Sequence, residues 1–154
     1  MSLEEDIKQV RFNSEYQKLM LNIFYTSNWL GLKHNQLMKE YGLTGPQFNI
    51  LRILRGQKGQ PMSVNALIER MLDKSSNASR IVDKLEEKKL VLRKVCPNDR
   101  RQVEVTITSD GLQLLKQLDS PMDALEDLVK GISLDEAKLV NQLLEQIRNS
   151  NKSK

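Results

Sequence analysis

One cysteine, Cys96, and one histidine, His34, are all that 154 residues offer of two side chains central to metal binding and covalent catalysis. A lone thiol excludes an internal disulfide framework. A zinc site gathers three or four such ligands, so neither a metal nor a cofactor is expected. The two residues fall in different parts of the chain, which excludes a Cys–His couple. No phosphate-binding glycine loop appears, and an enzyme is not expected. Aromatic residues make up only 5% and hydrophobic residues 39%, which is modest material for a large private core. No apolar run approaches the roughly 20 residues needed to cross a bilayer. The opening MSLEEDIKQV is acidic where a secretory leader carries an apolar stretch. A soluble, cytoplasmic chain with no membrane partner is expected.

What is present is a lopsided charge. The formal net charge is +4, but residues 44–108 hold 13 Lys and Arg against 7 Asp and Glu, and the remainder holds 11 against 13. A basic centre between slightly acidic flanks is the footprint of a nucleic-acid contact carried by part of a chain. A merely solvated cationic surface would not concentrate its excess in one helix and hairpin.

Periodicity lays out the elements. A first helix is expected over 13–40, with Tyr16, Leu19, Met20 and Ile23 on one face, too long a stripe for a small domain to cover. Tyr41-Gly42 ends it. Thr44 and Gln47 form a capping box for a second helix with Pro46 in its first turn, closed by Gly56 and Gly59. A third helix over 63–71 turns Val64, Leu67, Ile68 and Met71 inward. Near the other end, Pro121 is expected to kink or interrupt a helix that begins at Thr108 or Ser109. A second capping box, Ser133 to Glu136, opens a last helix that buries Val140, Leu143, Leu144 and Ile147. Leucine-rich terminal helices on either side of a basic module most simply pair with the same helices of a second chain, so a twofold homodimer is expected.

Between these lies the stretch SSNASRIVDKLEEKKLV followed by LRKVCPNDRRQVEVTIT. Ala78, Ile81, Val82 and Leu85 recur at i, i+3, i+4 and i+7, the inner face of a helix. The other face carries Ser75, Ser76, Asn77, Ser79, Arg80 and Lys84, short hydrogen-bonding groups and cations that suit base edges and phosphates. Two strands follow, over 91–95 and 102–107. The second alternates Val103, Val105 and Ile107 with polar residues, and Pro97-Asn98-Asp99-Arg100 supplies the turn between them. Arg93 and Lys94 would track phosphates, with one of the two possible on the core side of the sheet. A helix followed by a basic hairpin is the order of parts in a winged helix-turn-helix, so the expected partner is double-stranded DNA. The alternative is a helical protein-interaction module with a basic face, which a sequence-specific footprint would exclude.

The stretch resembles the MarR family of bacterial transcription regulators. Asp99, Arg101 and Thr108 match that family's wing pattern, D-x-R followed by six residues and T. LTGPQFNILRIL resembles its second helix, and SRIVDKLEEKKLV its recognition helix. The likeness covers residues 43–111 in motif and the whole chain in helix order. It implies a mainly α fold, a winged helix-turn-helix with N- and C-terminal dimerisation helices, divided as 1–42, 43–108 and 109–154. It further implies a homodimeric regulator, most often a repressor, released by a small effector that is often an anionic aromatic. Tyr25, Trp29 and Met38 on the first helix, with Phe48 and Arg52 on the second, are the candidates for that pocket. Arg101 is expected in the minor groove, with Arg100 the neighbouring candidate. Asp99, which would repel phosphates, is expected to fold the wing. Cys96 reads as an ordinary strand-end thiol, with oxidant sensing the alternative. One residue departs from the pattern: Lys89 stands where the family usually has glycine, in the turn after the recognition helix. A left-handed conformation there costs a non-glycine residue roughly 1 kcal/mol, and a slightly altered helix exit is expected.

Overall fold

The computed structural model describes residues 2–95 and 103–150. The chain divides into two compact units, Met1–Lys116 and Gln117–Lys154. The first unit opens with a short helix, α1 (Leu3–Ile7), and the long α2 (Glu15–Glu40). Ser14 caps α2, its Oγ accepting the Gln17 N–H at 3.1 Å. Of this whole helix only Met38 is fully withdrawn from solvent. Helix α1 has no counterpart in the sequence reading. Its five residues are too few for periodicity to show, although the Ser2 N–H donating to Glu5 at 2.7 Å marks a legible S-x-x-E start. Leu3 is buried, and Lys18 on α2 pairs with Glu4 at 2.5 Å.

The core lies around α3 (Gly45–Gly56), whose Phe48, Ile50, Leu51, Ile53 and Leu54 are all buried. The expected capping box forms: the Gln47 N–H donates to Thr44 Oγ1 at 3.3 Å, and the Thr44 N–H to Gln47 Oε1 at 3.1 Å. Next come β1 (Met62–Ser63), α4 (Val64–Arg70), α5 (Ala78–Glu87), β2 (Val91–Val95) and β3 (Val103–Ile107). The three strands form an antiparallel sheet in the order β1-β3-β2, with Met62 opposite Val105 and Arg93 opposite Val105 on the other side. Strand β1 is missing from the sequence reading because two residues cannot show an alternation. Helix α6 (Ser109–Glu126) starts in this unit, where Leu115 is buried.

The second unit holds the remainder of α6, a single 3-10 turn at Asp127–Val129, and α7 (Leu134–Asn149). Helix α6 continues through Pro121, so the proline does not interrupt it, although it leaves one carbonyl a turn earlier without its usual donor. The Ser133 capping box is present, with the Ser133 N–H donating to Glu136 at 2.8 Å. No residue of α7 is buried. Val140, Leu143 and Ile147 are exposed and Leu144 half-buried, so a single chain does not supply the burial expected of this face.

Two helices end in the same way, once with glycine and once without. After α2, the Gly42 N–H bonds to Lys39 O at 3.1 Å and the Leu43 N–H to Met38 O at 2.9 Å, with Gly42 at φ 66°. After α5, the Lys89 N–H bonds to Glu86 O at 2.8 Å and the Leu90 N–H to Leu85 O at 2.9 Å, with Lys89 at φ 60°. Both are Schellman motifs. Lys89 thus takes up the glycine geometry and carries its cost. Lys89→Gly is expected to raise stability by about 0.5–1 kcal/mol: the left-handed penalty is roughly 1–2 kcal/mol, offset by roughly 0.4–1 kcal/mol from the freer unfolded chain. Thermal melting checks this, and an unchanged or lower midpoint contradicts it.

Candidate nucleic-acid interface

Helix α5 is amphipathic by construction. Ala78, Val82 and Leu85 are buried against the core, while Ser79, Arg80 and Lys84 are exposed on the opposite side. Arg80 and Lys84 are four residues apart and therefore share a face. Lys84 is also in contact with Glu87, Nζ to Oε2 at 2.9 Å, with both side chains more than half exposed. Such a surface pair contributes little and leaves the cation able to exchange partners.

The entry to the helix differs from the sequence reading. Ser75, Ser76 and Asn77 were expected on the helix face, but α5 begins at Ala78 and these three precede it. Asn77 is the cap, its Oδ1 accepting the Arg80 N–H at 3.1 Å. Asn, like Ser and Asp, competes with helix by bonding to nearby backbone, so a cap was its natural place. Ser75 and Ser76 serve Asp73. The Ser75 N–H and Oγ–H donate to Asp73 Oδ1 at 2.9 and 2.6 Å, and Ser76 Oγ–H to Oδ2 at 2.8 Å. These hydrogen bonds hold the Asp73 carboxyl below the usual carboxylate range. Both hydroxyl protons are therefore committed within the turn. From behind, the buried Asn49 of α3 accepts the Leu72 N–H at 3.0 Å, so the core itself fixes the turn.

The exit is tied as firmly. Thr108 Oγ1 donates to Lys89 O at 2.8 Å and accepts the Gly111 N–H at 3.1 Å, and the Thr108 N–H donates to Leu90 O at 3.0 Å. The threonine of the wing pattern thus joins the helix exit to the start of α6. Lys88 Nζ donates to Gly42 O and, at 3.3 Å, to Gln47 Oε1, which anchors the end of α5 to the turn before α3.

On the wing strand, alternation separates the two cations. Val91 is buried and Arg93, two residues on, faces the same side; Leu92 and Lys94 are exposed. The Arg93 guanidinium is ion-paired with Asp83 of α5, and the Arg93 backbone N–H donates to Glu86 Oε1 at 3.2 Å. Cys96, Asp99, Arg100 and Arg101 lie outside the described residues. Asp73, Asn49, Asp83 and Lys88 escaped the sequence reading. Asp73-x-Ser-Ser ahead of a capping asparagine was a legible turn signal; the other three act through long-range partners that no local pattern reveals.

The five effector candidates fall in different environments. Tyr25 and Trp29 line a cleft of about 360 Å³ with Leu3, Asp6, Asn22 and Thr26. Met38 and Phe48 are buried in the core instead, Phe48 meeting the His34 ring edge-on with centroids 5.6 Å apart. Arg52 is exposed on α3. Burial pushes the His34 imidazole below its ordinary value. Among the described residues no group of three His, Cys, Asp or Glu side chains is placed to hold a metal ion, and no helix is long and apolar enough to cross a membrane.

This arrangement has counterparts. The MarR family model matches residues 41–102, from the turn after α2 to the wing. The HTH-type transcriptional regulator MhqR of Bacillus subtilis (strain 168) is 28% identical over 114 residues, which are 73% of this chain and 77% of that protein. A MarR transcription factor from Planctomyces limnophilus superimposes with a TM-score of 0.69 at 29% identity, covering 88% of this chain and 99% of that one. Staphylococcus aureus MepR, in its crystal structure with DNA, has the same fold with a TM-score of 0.74 at 24% identity, covering 91% of this chain and 99% of that one. With the wing pattern, the helix order and the sheet all in agreement, the chain is similar to the MarR family of transcription regulators, by family match over residues 41–102 and by fold over most of its length.

Proposed function

We propose that this protein is a homodimeric, sequence-specific DNA-binding transcription regulator of the cytoplasm, acting as a ligand-responsive repressor. The observation that carries the DNA contact is the outer face of α5: Ser79, Arg80 and Lys84 exposed on a helix whose two ends are fixed by Asp73, Asn77 and Thr108. MepR shares this fold and is seen with DNA. In a helix-turn-helix the recognition helix enters the major groove, and a twofold dimer meets half-sites one helical turn apart. Arg100 or Arg101 reaches the minor groove, Lys94 meets phosphate, and Asp99 shapes the wing. Residues 1–42 and 109–154 provide the dimer helices and 43–108 the DNA-binding part. The second copy is favoured by the exposed apolar residues of α2 (Tyr16, Leu19, Met20, Phe24) and of α7 (Leu139, Val140, Leu143).

The effector reading rests on the cleft at Tyr25 and Trp29. Two rings with amide and hydroxyl neighbours suit a flat aromatic molecule. Asp6 in the lining disfavours an anion, so an uncharged aromatic such as a phenol fits this cleft better than the anionic class expected from the resemblance.

The test begins with fragments selected from random duplex DNA by the protein. Arg80→Ala is expected to weaken binding to the selected site by about 1–3 kcal/mol and to relax base preference at one position per half-site. Asn77→Ala is expected to act through the cap, at about 1 kcal/mol of stability. Unchanged affinity and unchanged preference in Arg80→Ala would show that α5 is not the reading helix.

A further inference from the structure

We propose that Arg93 is a positioning residue, a strut between the recognition helix and the wing strand, and not a contact to DNA phosphate. This rests on the DNA-binding reading above and deepens it. Residue 93 lies on β2 on the same side as the buried Val91, opposite the buried Val105 in the sheet register. Its side chain is directed at α5, where the guanidinium pairs with Asp83; the two side chains are 29% and 48% exposed. Its backbone N–H donates to Glu86 Oε1. Asp83 and Glu86 are three residues apart and so lie on one face of α5. One residue of the wing is therefore held at two points, by main chain and by side chain, to two acceptors on successive turns of the reading helix. Lys84, between them in sequence, pairs with Glu87 instead, so Arg93 is the cation that answers Asp83.

The pairing has an electrostatic role as well as a geometric one. Asp83 and Glu86 are carboxylates on the helix that approaches a polyanion. Left unanswered, Asp83 would repel phosphate and pull the exposed cations of the same helix toward itself. Paired with Arg93 it is neutralised locally, and the outer face keeps the positive potential of Arg80 and Lys84. Lys94, on the opposite side of the strand and exposed, is left as the phosphate-tracking cation of β2. The strut thereby fixes the angle between two elements that enter adjacent grooves, and groove spacing sets how much error in that angle binding tolerates.

Four proteins test this: the parent, Asp83→Asn, Arg93→Gln and the double variant, each measured against a fragment selected by the parent over a range of salt. Each single variant is expected to lose about tenfold in affinity, and the double variant no more than either single, because both remove one interaction. The slope of log affinity against log salt is expected to stay at the parent's value in Arg93→Gln. A true phosphate contact, lost once in each protomer of the dimer, would lower that slope by about two, as Lys94→Gln is expected to do. A slope reduced in Arg93→Gln, with Asp83→Asn binding like the parent, overturns the strut and makes Arg93 a phosphate ligand. Thermal unfolding of the same four proteins reads the strut without DNA. Less-than-additive losses support it and additive losses overturn it, even if the parent binds no selected fragment and the DNA-binding reading itself fails.

Discussion

Gly111→Ala is expected to destabilise the protein by about 2 kcal/mol, although alanine is the better helix former. A methyl group at this position of α6 would sit 2.4 Å from the Leu90 carbonyl oxygen and 2.7 Å from Ile107 Cγ1. The first of these is backbone and cannot rotate aside. Overpacking of this kind costs typically 1–3 kcal/mol, and contact with a main-chain atom places it near the top of that range. The gain of alanine over glycine in a helix returns only about 1 kcal/mol. For a chain of this size the net loss lowers the melting midpoint by roughly 4–8 °C. The Leu90 carbonyl also accepts the Thr108 N–H, so the displacement disturbs the junction that ends the recognition helix, and DNA affinity is expected to fall with stability. Gly31→Ala is the control: it too is helical, and a methyl group there meets nothing within 4 Å, so stability is expected to rise. Equal melting points for Gly111→Ala and the parent would contradict the close approach.

Leu143→Asp is expected to convert the protein to monomer and to abolish operator binding at the same concentrations. Leu139, Val140 and Leu143 are 53%, 45% and 49% exposed on a helix that buries nothing within its own chain. Removing what remains of such a side chain from water contributes on the order of 1 kcal/mol. In a twofold interface each substitution counts twice, and a carboxylate brought into that contact adds its own desolvation cost. A total near 3 kcal/mol corresponds to about a hundredfold weaker dimer. The folded chain is expected to persist, because α7 supplies none of the buried core. Sedimentation and operator titration measure the two losses together. A stable monomer that still binds a palindromic site at parental affinity would exclude the dimer.

The fold was legible wherever a pattern repeats often enough to be counted. The stripe of α5, the alternation of β3 and the capping boxes at Thr44 and Ser133 are local signals, and each element stands within a few residues of its expected place. The elements that escaped are α1 and β1, of five and two residues, both shorter than any period. In the candidate interface, the exposure of Arg80 and Lys84 was legible because helical spacing alone assigns them to the outer face. Ser75, Ser76 and Asn77 were displaced by local chemistry: side chains that bond their own backbone act before a helix begins, and periodicity cannot see where a cap stands. Which of Arg93 and Lys94 turns to the core side of the sheet was open in the sequence; it is Arg93, through a partner ten residues away, Asp83. The effector candidates were chosen by residue type, whereas burial divides them, Met38 and Phe48 inside and Tyr25 and Trp29 at a cleft.

The Thr108 junction sets the separation of β2 and β3 from below. The hairpin is closed at its base by hydrogen bonds among Lys89, Leu90, Thr108 and Gly111, so the spacing of its two legs is set before the chain reaches 96–102. Above that base the ladder runs from Val91 opposite Ile107 to Val95 opposite Val103, and the Arg93–Asp83 pair ties β2 directly to α5. The helix and the strand pair are therefore expected to move as one body, with matching hydrogen-exchange protection in α5, β2 and β3.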